Sequence, residues 1–169
     1  MTGSAELLRK LKRLYENLPL PPGQAGGIVA IMVLERTRPA PIGGPLILRY
    51  AAGVLALGAG CALNGWALVE RRRRTSGEFD LEHPQSLVTT GAYAKSRHPM
   101  YVGWWFIHLG TGLLRGSAWV AVTMPAALLA EHVGVLAEER ALDREFGDEY
   151  ARYRENVPRY LAWRRHSAT

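Results

Sequence analysis

Residues 50–69, YAAGVLALGAGCALNGWALV, decide how the rest of the chain is read. The 20 residues from Tyr50 to Val69 carry no charge, and roughly that many are needed to cross a bilayer core as a helix. The run stops at Glu70 and is followed by Arg71, Arg72, Arg73 and Arg74. A long apolar run halted by a block of arginines reads as a membrane span with a cytoplasmic stop. The competing reading, a buried helix of a soluble protein, suits it poorly, because so long an uncharged stretch exceeds an ordinary core helix. Cys61 is the only cysteine and reads as a small packing residue. Disulfide frameworks and cysteine-based metal sites are thereby excluded, and no metal is expected.

Average composition hides this segregation. The 169 residues suggest one domain, 1–169. A hydrophobic content of 48% and a mean hydropathy of −0.07 would pass for a water-soluble protein. The net charge is +6 and the pI about 9.8. The basic residues cluster beside apolar runs, at 9–13, 71–74, 95–97 and 159–165. That distribution fits a positive inner membrane face better than a nucleic-acid footprint.

Working outward, residues 1–18 predict an amphipathic surface helix, with Leu7, Leu8, Leu11 and Leu14 on one face and basic residues on the other. Pro19, Pro21 and Pro22 end it. Ala25 to Leu34, extended by uncharged neighbours, predicts a first span, and residues 37–45 a Pro/Gly loop. The second span covers Leu46 to Val69, and 71–98 is a polar connector. Tyr101 to Leu114 and Ser117 to Ala130 are two further apolar segments separated only by Arg115 and Gly116, which implies a helical hairpin. From Glu138 the chain is charged and helical. The expected fold is an all-α membrane protein with about four transmembrane helices, a C-terminal helical hairpin and a cytosolic C-terminal helix. With both termini in the cytosol, the richest basic clusters fall inside.

Polar residues break the apolar segments at regular spacing. Tyr101, Trp105 and His108 lie at i, i+4 and i+7 and share a helical face. Gly103 and Gly110 form a neighbouring stripe where a backbone or a ligand can approach closely. His108 reads either as a functional group or as a histidine bonded to a neighbouring helix; Trp105 also suits an interfacial aromatic belt. Glu131 and Glu138 are seven apart on the next segment, and a carboxylate among apolar residues in a membrane is a functional candidate by default. Hairpin geometry brings Glu138 and Glu139 level with Arg97 and His98, although an ordinary solvated helix end would also carry such a pair. A mouth of this kind suits a water-soluble cofactor meeting a lipophilic substrate. The acidic pair would face a cation or hydroxyls, and basic and tyrosyl groups a carboxylate.

Two blocks carry a resemblance. GAYAKSRHPMYVGW (91–104) and EERALDREFGDEYARYRENVPRY (138–160) together resemble the isoprenylcysteine carboxyl methyltransferase family, whose wider group includes phospholipid methyltransferases. The shared pattern is met at Gly91, Tyr93, Arg97, His98, Pro99, Tyr101 and Gly103. In the second block it is met at Glu138, Glu139, Leu142, Phe146, Gly147, Tyr150, Tyr153, Val157 and Pro158. The resemblance implies an integral membrane methyltransferase using S-adenosylmethionine, with residues 86–160 as the cofactor-binding catalytic core. It implies cofactor contacts at Tyr93, Ala94, Lys95, Ser96, His98, Tyr101, Gly103, Phe106, Ile107, His108, Leu109 and Glu138.

Methyl transfer from a sulfonium needs alignment and exclusion of water more than acid–base help. Glu131 or His108 is the candidate where a nucleophile must lose a proton. Relatives that act on prenylcysteine carboxylates carry an arginine four residues before the matched glutamate. Gly134 stands there in this chain, which leaves Arg140 or Arg159 to hold an acidic substrate. The acceptor class stays open: a small isoprenoid, a fatty or phenolic lipid, or a thiol. The arginine- and alanine-rich composition points to a bacterial cytoplasmic membrane. Two other classes remain at this stage. One is an NADPH-dependent membrane reductase of the sterol or steroid type; the other is a non-enzymatic membrane adaptor.

Overall fold

The computed structural model describes residues 20–74 and 86–161. The surface helix expected over 1–18 lies outside them. Among the described residues four α-helices follow in order: α1 Pro22–Thr37, α2 Leu46–Arg74, α3 Pro99–Arg115 and α4 Val120–Asn156, with a 3₁₀ turn at Gly91–Ala94 before α3. Proline opens both α1 and α3, where its missing N–H is one of the helix's unpaired donors anyway. Gly116, at φ 66°, ends α3 in the left-handed region.

The loops that follow α1 and α3 meet at one end of the bundle. There Ala118 N–H donates to Ala40 O at 2.7 Å and Trp119 Nε1 to Arg38 O at 2.8 Å. The arginine block of α2, the start of α3 and the middle of α4 gather at the other end. The first part of the charged segment, expected to be separate, continues α4 as far as Gly147, where φ is 48° and ψ −119° and the helix is broken in two. That backbone conformation is one that glycine reaches at little cost. The break lets Tyr150, Tyr153 and Val157 pack with Leu87, Leu142 and Phe146.

The hairpin expectation needs a correction in its packing. α3 and α4 follow one another through the tight joint, but α3 packs chiefly on α2, and α4 chiefly on α1. Glycines set the first contact. A Cβ on Gly60 would lie 2.5 Å from Gly103 O, and one on Gly110 would lie 2.7 Å from Leu57 N. The two backbones therefore touch, as small residues allow between membrane helices.

α2 and α4 are long and apolar enough to cross a membrane by length and composition. α1 and α3, with 16 and 17 residues, reach about 24–26 Å at 1.5 Å per residue. The burial profile is reversed from that of a water-soluble bundle. Ile47, Leu55, Leu129 and Val133 are exposed, whereas Gln24, His108 and Glu131 are buried. Only 11% of the apolar window of α2 is buried inside the protein, so its hydrophobic surface is turned outward. Cys61, expected to pack inside, lies on that outward face.

Candidate functional site

The two sequence blocks meet at the end of the bundle that carries Arg71–Arg74. The approach to α3 begins with a turn at Gly91, whose φ of 61° suits glycine. Thr90 hydroxyl donates to the Glu70 carboxylate beside it. Tyr93 then packs with Ala67, Ala92 and Met100, and its carbonyl accepts from the Tyr153 hydroxyl at 2.7 Å. Burial pushes the Tyr93 phenol up from its ordinary value.

The next residues are zipped to the chain after α4. Arg97 N–H donates to Pro158 O at 2.9 Å and His98 N–H to Arg159 O at 3.1 Å. Ser96 hydroxyl donates to Arg159 O at 3.2 Å. Glu139 locks this junction with its side chain. It accepts from Arg97 Nη2 at 3.0 Å, from Arg159 Nε at 3.0 Å and Nη2 at 2.8 Å, and stands 3.2 Å from His98 Nε2. The bonded carboxylate in turn raises the pKa of the Arg159 guanidinium. A carboxylate this buried needs such partners, because desolvation otherwise costs several kcal/mol per ion.

Glu138 has a different environment. Successive helical residues point about 100° apart, so its carboxylate turns out of the lock and keeps 41% side-chain exposure. Tyr101 hydroxyl donates to it at 3.5 Å, and His98 Nδ1 lies 3.7 Å away. Glu138 shares with Arg71, Tyr93, Arg97, Leu142 and Tyr153 the lining of a small cavity of about 40 Å³.

Deeper along the bundle the face read from periodicity forms a ladder. Tyr101 meets Glu138, Trp105 Nε1 donates to Glu131 Oε2 at 3.1 Å, and His108 Nε2 lies 3.0 Å from Thr123 Oγ1. The antiparallel run explains the match between spacings on the two helices. Gln24 of α1 completes the inner rungs. Its Nε2 donates to Glu131 Oε2 at 2.9 Å, its backbone N–H to Glu131 Oε1 at 3.2 Å, and its Oε1 lies 2.6 Å from His108 Nδ1. Tyr160 closes over Trp105 with ring centroids 4.7 Å apart, and its hydroxyl lies 3.0 Å from His132 Nδ1.

With this geometry in hand, comparison with known proteins is informative. The family model described as phospholipid methyltransferase matches residues 48–149, more than half of the chain. The chain belongs to the phospholipid methyltransferase family. It is also similar to protein-S-isoprenylcysteine O-methyltransferases. That of Schizosaccharomyces pombe is 40% identical over 74 residues, which cover 43% of this chain and 31% of that protein. The human protein is 35% identical over 74 residues, covering 43% and 26%. The Xenopus laevis protein is 36% identical over 76 residues, again covering 43% and 26%. The likeness thus spans less than a third of those relatives' length.

Within this phospholipid methyltransferase family member, the expected site residues do not all gather in one place. Tyr93 and Glu138 line the cavity, His98 and Tyr101 approach Glu138, and Ser96 is buried against Arg159 O, with Ala94 and Lys95 exposed on the loop. Gly103 and Ile107 turn away from the cavity. The space beside Gly103 is filled by Asn64 of α2, and Ile107 abuts Gly60. By helical spacing Phe106 and Leu109 fall between the two faces of α3. His108 and Glu131, the candidate proton carriers, sit together in the interhelical ladder with their polar atoms already engaged. His108 is fully buried there and approaches the open cavity nowhere in its hydrogen bonding.

Arg140 is exposed, with Nε bonded to Leu136 O at 3.1 Å. It flanks a second concavity beside Arg154 and Arg159. Glu139 and Arg97 were within the quoted blocks but not among the expected contacts. The adjacent pair of glutamates was the available signal; their different orientations become visible only once the helix is built.

Proposed function

We propose that the chain is an integral membrane methyltransferase that uses S-adenosylmethionine and methylates a lipophilic acceptor at the cytosolic face. The junction of the two sequence blocks around Glu139, with Glu138 partly exposed beside a cavity, is the observation that carries this reading. The reversed burial of the bundle supports a bilayer as its solvent. In this reading residues 1–169 are one domain and 86–160 its catalytic core. All four helices cross the membrane, α1 and α3 relying on local thinning of the bilayer, and both termini face the cytosol.

The cavity lining suits such a donor by the buried guanidinium of Arg97 and by the carboxylate of Glu138. Bound there, S-adenosylmethionine supplies a methyl group activated by a sulfonium. The protein's part is orientation. His98, Tyr101 and Glu138 hold the donor's polar groups, and the loop from Tyr93 to Ser96 covers it. Trp105 and Tyr160 exclude water on the side that opens between α3 and α4, where a lipophilic acceptor enters. Glu131 and His108 brace the helices that fix this arrangement, and Arg140 and Arg159 lie where an acidic headgroup would approach. Calorimetry on detergent-purified protein tests the reading. S-adenosylmethionine and its demethylated product should bind and NADPH should not; binding of NADPH alone would favour a reductase and overturn it. Tyr101→Ala and Glu138→Ala should each weaken donor binding.

A further inference from the structure

Arg97 is the one cation of the lock that its surroundings leave incomplete. Its side chain is only 7% exposed, and Nη2 pairs with Glu139 at 3.0 Å. Nε and Nη1 are buried and have no hydrogen-bond partner. A guanidinium offers five donors and keeps its charge at any working pH, and buried donors left unmade cost about 1–3 kcal/mol each. The Tyr150 hydroxyl, on a residue with no exposure, is likewise buried without a partner. Among the described residues, three of the five buried side-chain atoms lacking a partner belong to these two side chains.

Charge points the same way. Arg97 and Arg159 share one carboxylate, that of Glu139, so the lock carries one positive charge more than it neutralises. Arg97 also lines the cavity, whose opposite contribution is the half-exposed Glu138. One wall is cationic and another anionic. Nη2 carries two hydrogens, and the one not given to Glu139 makes, with a neighbouring free N–H, a fork that suits a planar carboxylate, which accepts two parallel bonds. A doubly charged phosphate would be poorly matched, with the carboxylates of Glu138 and Glu139 nearby.

We propose that Arg97 forms a carboxylate subsite at the wall of the cavity and holds the amino-acid carboxylate of the methyl donor. This rests on the methyltransferase reading. Glu138, across the cavity, then faces the cationic or hydroxyl-bearing parts of the same molecule.

The test uses the full chain in detergent and two probes that share the adenosine part. S-adenosylhomocysteine has the amino-acid carboxylate; 5′-methylthioadenosine lacks the whole amino-acid end. Wild type should bind the first at least about tenfold more tightly, the size of one charge-assisted hydrogen bond. R97K keeps a cation for Glu139 but removes the fork. It should lose about tenfold in S-adenosylhomocysteine affinity and keep its 5′-methylthioadenosine affinity, which also reports an intact pocket. An unchanged ratio of the two affinities in R97K overturns the subsite, and so does an equal weakening of both, which would make Arg97 a brace. If wild type binds neither probe, the subsite and the methyltransferase reading fall together.

Discussion

Two adjacent carboxylates should respond in opposite ways to loss of charge. Glu139→Gln leaves Arg97 and Arg159 facing each other across a neutral amide in a place where the carboxylate side chain is 8% exposed. It also removes the charge from the four contacts of 2.8–3.2 Å made with Arg97, Arg159 and His98. Breaking a buried ion pair in this way costs about 3–5 kcal/mol. Arg159 is one-third exposed, so water recovers part of that, and about 2–4 kcal/mol remains. For a chain of this size the thermal midpoint should fall by about 5–15 °C. Glu138→Gln alters one 3.5 Å hydrogen bond from Tyr101 on a carboxylate that is 41% exposed. Its midpoint should stay within about 2 °C of wild type, while donor binding weakens. Thermal unfolding followed by tryptophan fluorescence in one detergent, with calorimetry on the same samples, reads both. If Glu138→Gln destabilises as much as Glu139→Gln, or if Glu139→Gln unfolds with the wild-type protein, the division of labour between them is wrong.

Three further outcomes follow from the packing and the backbone. Gly110→Leu must push against Leu57 N at 2.7 Å and Gly53 O at 2.8 Å, at about 1–3 kcal/mol. Gly58→Leu, with nothing within 4 Å, should leave the thermal midpoint nearly unchanged. His108→Phe strips partners from Gln24 and Thr123 and should cost about 2 kcal/mol; a midpoint equal to wild type would show that the ladder is not bonded as described. Gly147→Ala meets no neighbour, so any loss comes from the φ of 48° alone, about 1–3 kcal/mol. Hydrogen exchange should then quicken selectively over residues 148–161, and unaltered exchange would remove the case for a required break.

The parts legible in the sequence are those where a simple solvent rule operates. The uncharged run of α2 announced itself because a bilayer demands uninterrupted apolar length, and the Tyr101, Trp105, His108 face because 3.6-residue periodicity survives in any environment. The role of His108 was not legible. Its neighbours are Gln24, 84 residues earlier, and Thr123, and no local pattern says that α1 returns to cover α3. Gly103 and Gly110 signalled a close approach correctly, but nothing in their spacing tells a ligand from a helix; α2 is what arrives. Glu138 and Glu139 were equally visible, and the rotation of one residue assigns one to the cavity and the other to the lock.

That rotation bears on why a charged lock sits here at all. Residues 95–98 and 157–159 are irregular backbone at the edge of an apolar bundle, and they have few apolar side chains with which to hold each other. Two backbone hydrogen bonds fix their register, each contributing about 0.5–1.5 kcal/mol, too little to hold a loop against its own entropy. Glu139 supplies the remainder by pulling in two guanidiniums and an imidazole from both segments. A hydrophobic replacement would hold the segments together as firmly but would present no donors to the cavity. The ionic lock therefore does what apolar packing cannot. It fixes the loop and at the same time leaves Arg97 with two buried nitrogens that no protein acceptor meets.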